Sequence, residues 1–377
     1  MDTRSVRAAF VIEQTLGHVT HSRNLRAAID AQQVVSATWL PIDFESRGLA
    51  RVLPLVRSNW SVRASLRARR ALQRSLSVKQ HDVLFFHTQV TSLFSVALMK
   101  RYPSVVSLDA TPVGYDSMGA SYGHHPAGTG FVDRRKHAMN RDAFHAARRL
   151  VAWSEWARRS LVRDYGVDSA RIQVIAPGAA PQFFDIGQRR VDAAPDNGRR
   201  PVRVLFVGGD FTRKGGPALL EVMRSDLGAR CELHVVTQQQ VESRPNVFVH
   251  RAAQNSPELL RHFERADIFV LPSLGDCLAL VLMEAAAAGL PIVTTSVGAL
   301  GEAVLQRRSG LIVPPSDVGA LRAAVAALVG DPSARRAMGR ASHALARRKF
   351  DARHNNAALL HVLADMARRP ESLRKAA

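Results

Sequence analysis
Short, mostly apolar runs alternate along the chain with longer segments whose apolar residues recur every three or four positions. The runs Val6–Ile12, Val34–Ile42, Val83–Phe86, Val105–Leu108, Arg149–Trp153 and Arg171–Ile175 predict a first set of strands. Val202–Val207, Cys231–Thr237, Asn246–His250, Ile268–Leu271, Ile292–Thr295 and Gly310–Val313 predict a second. Unbroken apolar runs of this kind suit strands buried on both faces of a parallel sheet. Helical spacing fills intervals at Thr20–Ala31, Asn59–Lys79, Ser92–Arg101 and Ser256–Arg265, then at Val318–Leu328, Pro332–Arg348 and Ala352–Met366. A further helix opens after Gly275-Asp276, carries Leu278, Val281, Leu282, Ala285 and Ala288, and stops at Gly289-Leu290-Pro291. Strand, glycine turn and helix in repetition predict two doubly wound α/β domains.

At 377 residues the chain has the length of two ordinary domains, each able to bury its own core. A hydrophobic content of 46% and a mean hydropathy of −0.07 suit a soluble globular protein. The N-terminal MDTRSVRAAFVIEQ reads as the start of a strand rather than a signal peptide, and no apolar run approaches a membrane span. Cys231 and Cys277 are too few and too unpatterned for a disulfide framework or a metal centre, so a cytoplasmic location is expected. The formal charge of +20, with pI near 11.3, admits attraction to an anionic partner or a codon usage rich in Arg and Ala throughout. Residues 51–100 carry nine basic residues against one acidic. Within them Arg63, Arg67, Arg70 and Arg74 fall on one helical stripe with Trp60 at its start. That pattern suits either a solvated helix face or peripheral contact with the inner face of an anionic membrane. No nucleic-acid recognition motif accompanies the charge, and no nucleic acid is expected as a partner.

The candidate chemistry gathers where doubly wound sheets hold their ligands, at the carboxyl ends of strands. Val202–Val207 runs into Gly208, Gly209 and Asp210, then Arg213-Lys214-Gly215-Gly216. A glycine turn with cations ahead of a helix suits a diphosphate, Arg binding as a fork and Lys as a point charge. Farther on, Asp276 and Glu284 lie eight residues apart, one on the loop before a helix and the other two turns inside it. A buried unpaired charge is costly, so both carboxylates read as functional. Glu284, on a small-residue helix, can hold a ribose diol with both oxygens, and that helix's N-terminus offers free N–H groups to a phosphate. Thr237, at a strand end, is placed to wall a base pocket. Gly17, after the opening strand, is either a point of close approach to a donor phosphate or a plain turn glycine. His18 and His21 read as surface or acceptor-side residues, with no acid or Cys at ligand spacing to make them metal ligands, and His87, at the end of Val83–Phe86, as an acceptor-side residue. The glycine-bearing loop Tyr115–Gly130 suits an acceptor pocket or lid and adds Tyr115, His124 and His125.

The stretch Leu271–Asp317 resembles the retaining glycosyltransferases of family 4 (glycosyl transferases group 1), which have the GT-B fold. The resemblance rests on the Asp276-to-Glu284 spacing and on Gly289, Pro291, Gly298, Glu302, Gly310-Leu311-Ile312-Val313-Pro314-Pro315 and Asp317. Asp276 stands where the family usually has Glu, and Cys277-Leu278-Ala279 where it has Gly-Phe-Gly. In the glycine turn, Lys214 keeps the family's lysine position. Gly209 occupies the place of its arginine, which Arg213 would then supply. Pro177-Gly178-Ala179 matches the family's interdomain turn loosely.

The resemblance implies two Rossmann-like domains facing a central cleft. These would be an acceptor-side domain over 1–185, a linker over 186–200, a nucleotide-sugar-binding domain over 201–348, and a closing helix within 349–377 that crosses back to the N-terminal domain. It implies a retaining, metal-independent hexosyltransferase of polysaccharide or glycolipid biosynthesis. The enzyme would need no cofactor beyond a nucleoside-diphosphate-sugar donor and would act on a glycan, lipid-linked or small-molecule hydroxyl. Glu284 would bind the ribose, Lys214 and Arg213 with Gly208 and Gly209 the diphosphate, and Asp276 the sugar hydroxyls. Main-chain N–H groups at Cys277, Leu278 and Ala279 would meet sugar or phosphate. Asp109 takes the place of a histidine that lipid-acting members direct at the donor sugar. There it would hold an acceptor hydroxyl or steady an oxocarbenium-like transition state, or else form an Asx turn into Thr111-Pro112. Asp109, Asp276 and Glu284 are thus the catalytic candidates. The alternatives are a nucleotide-sugar epimerase on the same fold, recruiting His87 and Asp109, and a catalytically silent nucleotide-sugar-binding protein.

Overall fold
The computed structural model describes residues 5–14, 18–32, 34–44, 60–123, 128, 130–194, 200–242 and 244–368. The chain divides into two units, the first made of Met1–Asp116, Ala127–Ala176 and His354–Ala377, the second of Ser117–Pro126 and Pro177–Arg353. The first is built on a six-stranded parallel sheet. Its strands are β1 (Val6–Glu13), β2 (Val35–Ile42), β3 (Val83–His87), β4 (Ser104–Leu108), β5 (Arg149–Ala152) and β6 (Ile172–Val174). The spatial order is β2-β1-β3-β4-β5-β6. Helices α1 (His18–Asp30), α2 (Trp60–Val78), α3 (Val96–Arg101), α4 (Pro112–Asp116), α5 (Phe131–Ala146) and α6 (Glu155–Tyr165) connect them.

Side chains alternate across a strand, and here both faces are covered. Ala8, Phe10 and Ile12 of β1, with Phe85 of β3, pack under Leu25 of α1 and under Leu359, Leu360 and Leu363 of the closing helix, Ala352–Arg368. On the opposite face Ala9, Val11, Leu84 and Phe86 meet Ala64, Ala68 and Leu72 of α2, Phe144 of α5 and Leu161 of α6. This two-sided burial is why the strands are apolar runs in the sequence and not alternating patterns.

The second unit repeats the design. Its strands are β7 (Val202–Val207), β8 (Cys231–Val236), β9 (Val247–His250), β10 (Ile268–Leu271), β11 (Ile292–Thr295) and β12 (Gly310–Val313), in the order β12-β11-β10-β7-β8-β9. Its helices are α7 (Pro181–Asp192), α8 (Gly216–Val222), α9 (Pro257–Arg265), α10 (Leu280–Ala287), α11 (Val318–Gly330) and α12 (Pro332–Lys349). In each sheet the first strand lies inside the sheet, so the winding reverses between β1 and β3 and between β7 and β10. At such a reversal the loops diverge above the carboxyl ends and open a crevice for ligand.

Three expectations need correction. Residues 186–192, read as linker, are the last turns of α7, which buries Phe183, Phe184, Ile186 and Gly187. Its arginines masked that face in the sequence. Residues 117–126, expected with the first domain, belong to the second unit, where the Ser121 hydroxyl donates to the carbonyl of Leu274 at 2.7 Å. The arginines of α2 do not form one solvent-facing stripe. Arg63 is buried, and Arg67 donates to the carboxylate and carbonyl of Asp43 at 2.5 and 2.9 Å. Only Arg70 and Arg74 of the four are exposed. The helix buries its small residues deeply enough to draw the neighbouring stripe partly into the protein. Among the described residues, no helix is long and apolar enough to cross a membrane.

Helix α7 is seated by one close approach and one arginine. A Cβ on Gly187 would lie 2.0 Å from the carbonyl oxygen of Ala287 and 2.3 Å from Nδ1 of His343. The guanidinium of Arg190 donates to the carbonyls of Ala288, Ala266 and Phe263 at 3.0, 2.8 and 2.9 Å, satisfying helix ends that lack partners of their own. Gly187→Ala is therefore expected to destabilise the second unit by more than about 2 kcal/mol in urea unfolding. Gly330→Ala, whose nearest foreign atom would lie 3.6 Å away, should be neutral or stabilising by up to about 1 kcal/mol.

Candidate functional site
In the second unit the end of β7 and the end of β10 are joined by a small set of bonds. After β7 the chain turns through Gly208–Gly216, where Asp210 accepts from the backbone N–H and the Nε of Arg213 at 3.1 and 3.0 Å. Gly215 has φ +82°, and a Cβ there would lie 2.0 Å from the carbonyl oxygen of Pro272, so only glycine lets the turn cross the end of β10. The carbonyl of Arg213 accepts from the N–H of Leu274 at 2.9 Å and from the Ser273 hydroxyl at 3.3 Å. The Thr295 hydroxyl donates to the carbonyl of Ser273 at 2.6 Å, which adds β11 to the set. Lys214 Nζ then lies 2.7 Å from Asp276 Oδ2, with the two side chains 16% and 14% exposed. Gly208 makes room for the lysine stem, since a Cβ would lie 2.7 Å from Lys214 Cδ, whereas nothing lies within 4 Å of the position at Gly209.

Arg213 is engaged differently. Its fork meets Asp210, the carbonyl of Gly275 and the Tyr122 hydroxyl, the last at 3.4 Å. The guanidinium also sits 4.6 Å from the centroid of the Tyr122 ring and 3.8 Å from Asp276 Oδ2. Lys214 and Arg213 thus both face Asp276, but Arg213 also clamps the turn and the 117–126 segment.

Asp276 leads into α10, whose N-cap residue Ala279 supplies no side-chain cap. Cys277, Leu278 and Ala279 are buried, and the carbonyl of Cys277 accepts from the N–H of Ala299 at 2.8 Å. Glu284 follows inside α10. Part of its side chain reaches solvent, yet it is enclosed enough that desolvation raises its pKa to about 7, with Lys214 pulling the other way. Thr237, beyond β8, is buried. Its N–H donates to the carbonyl of His250 at 3.1 Å, and its hydroxyl accepts from the N–H of Gln239 at 3.3 Å. Gln239 Oε1 in turn accepts from the N–H of Phe211 at 2.7 Å, linking this turn to the glycine turn.

The first unit gathers a second cluster at its own reversal point. His18 Nδ1 and His87 Nε2 lie 3.0 Å apart. His18 Nε2 faces Glu13 Oε1 at 3.8 Å and Asp109 Oδ2 at 3.9 Å. The Thr88 hydroxyl donates to Glu13 Oε2 at 2.7 Å. The rings of His18, His21 and His87 pack around Trp153, whose Nε1–H donates to Ser107. Burial, reinforced by His18, pushes His21 down to about 3; burial, then His18 and His21, hold His87 well below its ordinary value. Thr111, not Asp109, caps α4 by accepting the N–H of Gly114 at 3.0 Å. Tyr115 lies half-buried on α4. Gly17, His124 and His125 lie outside the described residues.

Residues 201–331 match the family of glycosyl transferases group 1, and residues 17–183 match glycosyltransferase family 4. The chain belongs to glycosyltransferase family 4. A glycogen synthase of Mycobacterium tuberculosis (strain ATCC 25618 / H37Rv) is 29% identical to this glycosyltransferase over 334 residues, 85% of this chain and 77% of its own. Two solved structures share its GT-B fold. A sucrose-phosphate synthase from Thermosynechococcus elongatus aligns with a TM-score of 0.72 at 16% identity, over 96% of this chain and 99% of its own. Anabaena HepE in complex with UDP-glucose aligns at 0.65 and 13% identity, over 95% and 99%.

Sequence reading did not find Glu13, Thr88, Trp153, Tyr122 or Gln239. Glu13 alone had a visible signal, an acid at the carboxyl end of an apolar strand. Protonated Glu284 bears no charge, so in the ligand-free protein its cost appears only as pH rises from the ordinary value of 4.5 through about 7. Glu284→Gln in this glycosyltransferase should therefore raise the ligand-free melting temperature at pH 8. The gain should vanish near pH 4.5; an equal gain at both values would assign it to packing.

Proposed function
We propose that this glycosyltransferase moves a sugar from a nucleoside-diphosphate sugar to a hydroxyl acceptor with retention at the anomeric carbon and without a metal ion. The observation that carries this reading is the Lys214–Asp276 contact at 2.7 Å, beside an α10 N-terminus with no side-chain cap and ahead of Glu284. Donor binding gives Lys214 a second anion: its ammonium moves onto the diphosphate, and Asp276 is released toward sugar hydroxyls. The α10 N–H groups add partial positive charge to the same phosphate, so side chains and main chain supply what a divalent cation otherwise would. Ionised Glu284 accepts from both ribose hydroxyls. The UDP-glucose held by the Anabaena neighbour supports a nucleotide-sugar donor.

On this reading the acceptor hydroxyl attacks the face from which the diphosphate departs. The C–O bond to the sugar forms as the bond to the phosphate oxygen breaks, and that oxygen takes the acceptor proton. The protein contributes orientation and stabilisation of the leaving charge. His18, His87 and Asp109 serve the acceptor and the developing positive charge, with Glu13 and Trp153 holding the imidazoles. The neutral state of His87 suits a hydrogen-bonding role and not that of a fixed cation.

A thermal-shift panel of UDP, GDP, ADP and their common sugar conjugates is expected to give a shift with one base, lost in Glu284→Ala. At a hundred times the Kd, the stabilisation is about 2.7 kcal/mol. Lys214→Ala is expected to lower kcat by about 100- to 1,000-fold. No shift with any nucleotide, or an inverted anomer by proton NMR of the product, would overturn the reading.

A further inference from the structure
Three histidines distant in the sequence meet in the second unit. His234 lies on β8, His250 ends β9, and His262 lies in the last turn of α9. Strand pairing sets Val236 opposite His250 and His234 opposite Phe248, so the period of two along each strand puts His234 and His250 on one face of the sheet. One nitrogen from each of the three rings lies within 4.8 Å of the others. We propose that His234, His250 and His262 form a binding site for a divalent transition-metal ion of the zinc class.

The geometry suits such an ion. Zinc–nitrogen distances of about 2.0–2.1 Å in a tetrahedral site place ligand nitrogens about 3.3 Å apart. His234 Nδ1 and His250 Nε2 already stand 3.1 Å apart. The ring centroids of His250 and His262 are 4.2 Å apart, so side-chain rotation at the end of α9 completes the triangle. The other nitrogen of His234, Nε2, lies 3.2 Å from Glu232 Oε2. A proton held there fixes the tautomer and leaves Nδ1 with a free lone pair facing His250. A carboxylate behind a histidine in this way is how metal-binding imidazoles are commonly oriented. Arg203 pairs with the same Glu232 oxygen at 3.2 Å and keeps it in place.

Three imidazoles select zinc-class ions over magnesium or calcium, which take oxygen ligands. All three side chains are half-buried, which leaves an entry route and room for a water as fourth ligand. An ion here crosslinks β8, β9 and α9. It braces the strand end from which the His250 carbonyl holds the N–H of Thr237.

The test is titration of tag-free full-length protein, stripped with chelator, using zinc chloride by calorimetry and cobalt(II) by visible absorption. One ion per chain and the intense bands of tetrahedral cobalt are expected. His250→Ala and His262→Gln should each weaken binding at least about 100-fold, and Glu232→Gln about 10- to 100-fold. His361→Ala, on the closing helix, should leave it unchanged. Circular dichroism of each metal-free variant checks the fold, and should His250→Ala not fold, His262→Gln carries the test. Less than one-tenth of an equivalent bound, or stoichiometric binding that survives His262→Gln, would overturn the site.

Discussion
The ion pair between Lys214 and Asp276 depends on a parallel sheet that reverses its winding between β7 and β10. Neither residue could reach the other from consecutive strands laid in simple order. The reversal sets the first strand of the unit beside the fourth, and the turns after each strand meet above the sheet. Gly215 lets those turns cross, Ser273 and Thr295 join their carbonyls, and Arg213 clamps the outside against Tyr122. The resulting site is held by a main-chain bond, Leu274 N–H to the Arg213 carbonyl, and by side chains that bond to main-chain groups. Lys214 and Asp276 stand on that frame as a side-chain ion pair.

The same winding in the first unit brings Glu13, His18, His87 and Asp109 together at the ends of β1, β3 and β4. The two clusters share a feature of functional sites, groups held far from their ordinary protonation. His21 and His87 are kept neutral by burial, and Glu284 is held near neutrality by desolvation. Glu284 costs the folded protein stability once it ionises, and His21 and His87 once acid protonates them in the unfolded chain. On the proposed reading, a ribose diol would replace the hydration that the Glu284 carboxylate has lost.

Much of the fold was legible in the sequence, because strands buried on two faces must be apolar along their whole length. Val202–Val207, Ile268–Leu271 and Ile292–Thr295 fall as the runs predict. Helix α5 carries no comparable stripe, since it buries only Asn140, Ala143 and Phe144. Helix α7 hides four buried residues among arginines and aspartates, and so read in part as a linker. Within the candidate site, Lys214, Asp276 and Glu284 could be read from spacing along one unit of chain. The occupation of Arg213 could not, because Tyr122 arrives from a segment about ninety residues earlier and only the fold brings it across. His234, His250 and His262 were invisible for a related reason. Their spacings match no metal motif, and it is sheet register that sets two of them side by side.

On the proposed reading, Lys214 is the cation that exchanges Asp276 for a diphosphate. That exchange is tested most directly by calorimetry at pH 8, comparing the affinity for the preferred nucleoside diphosphate with that for its monophosphate. Asp276→Asn serves as the background, so that removing the lysine leaves no unpaired carboxylate. Exchange by Lys214 requires a preference for the diphosphate of about 10- to 100-fold in Asp276→Asn, as a charge-assisted hydrogen bond supplies, and its loss in Lys214→Met/Asp276→Asn. An unchanged preference in the double variant would contradict it and assign the diphosphate to other groups.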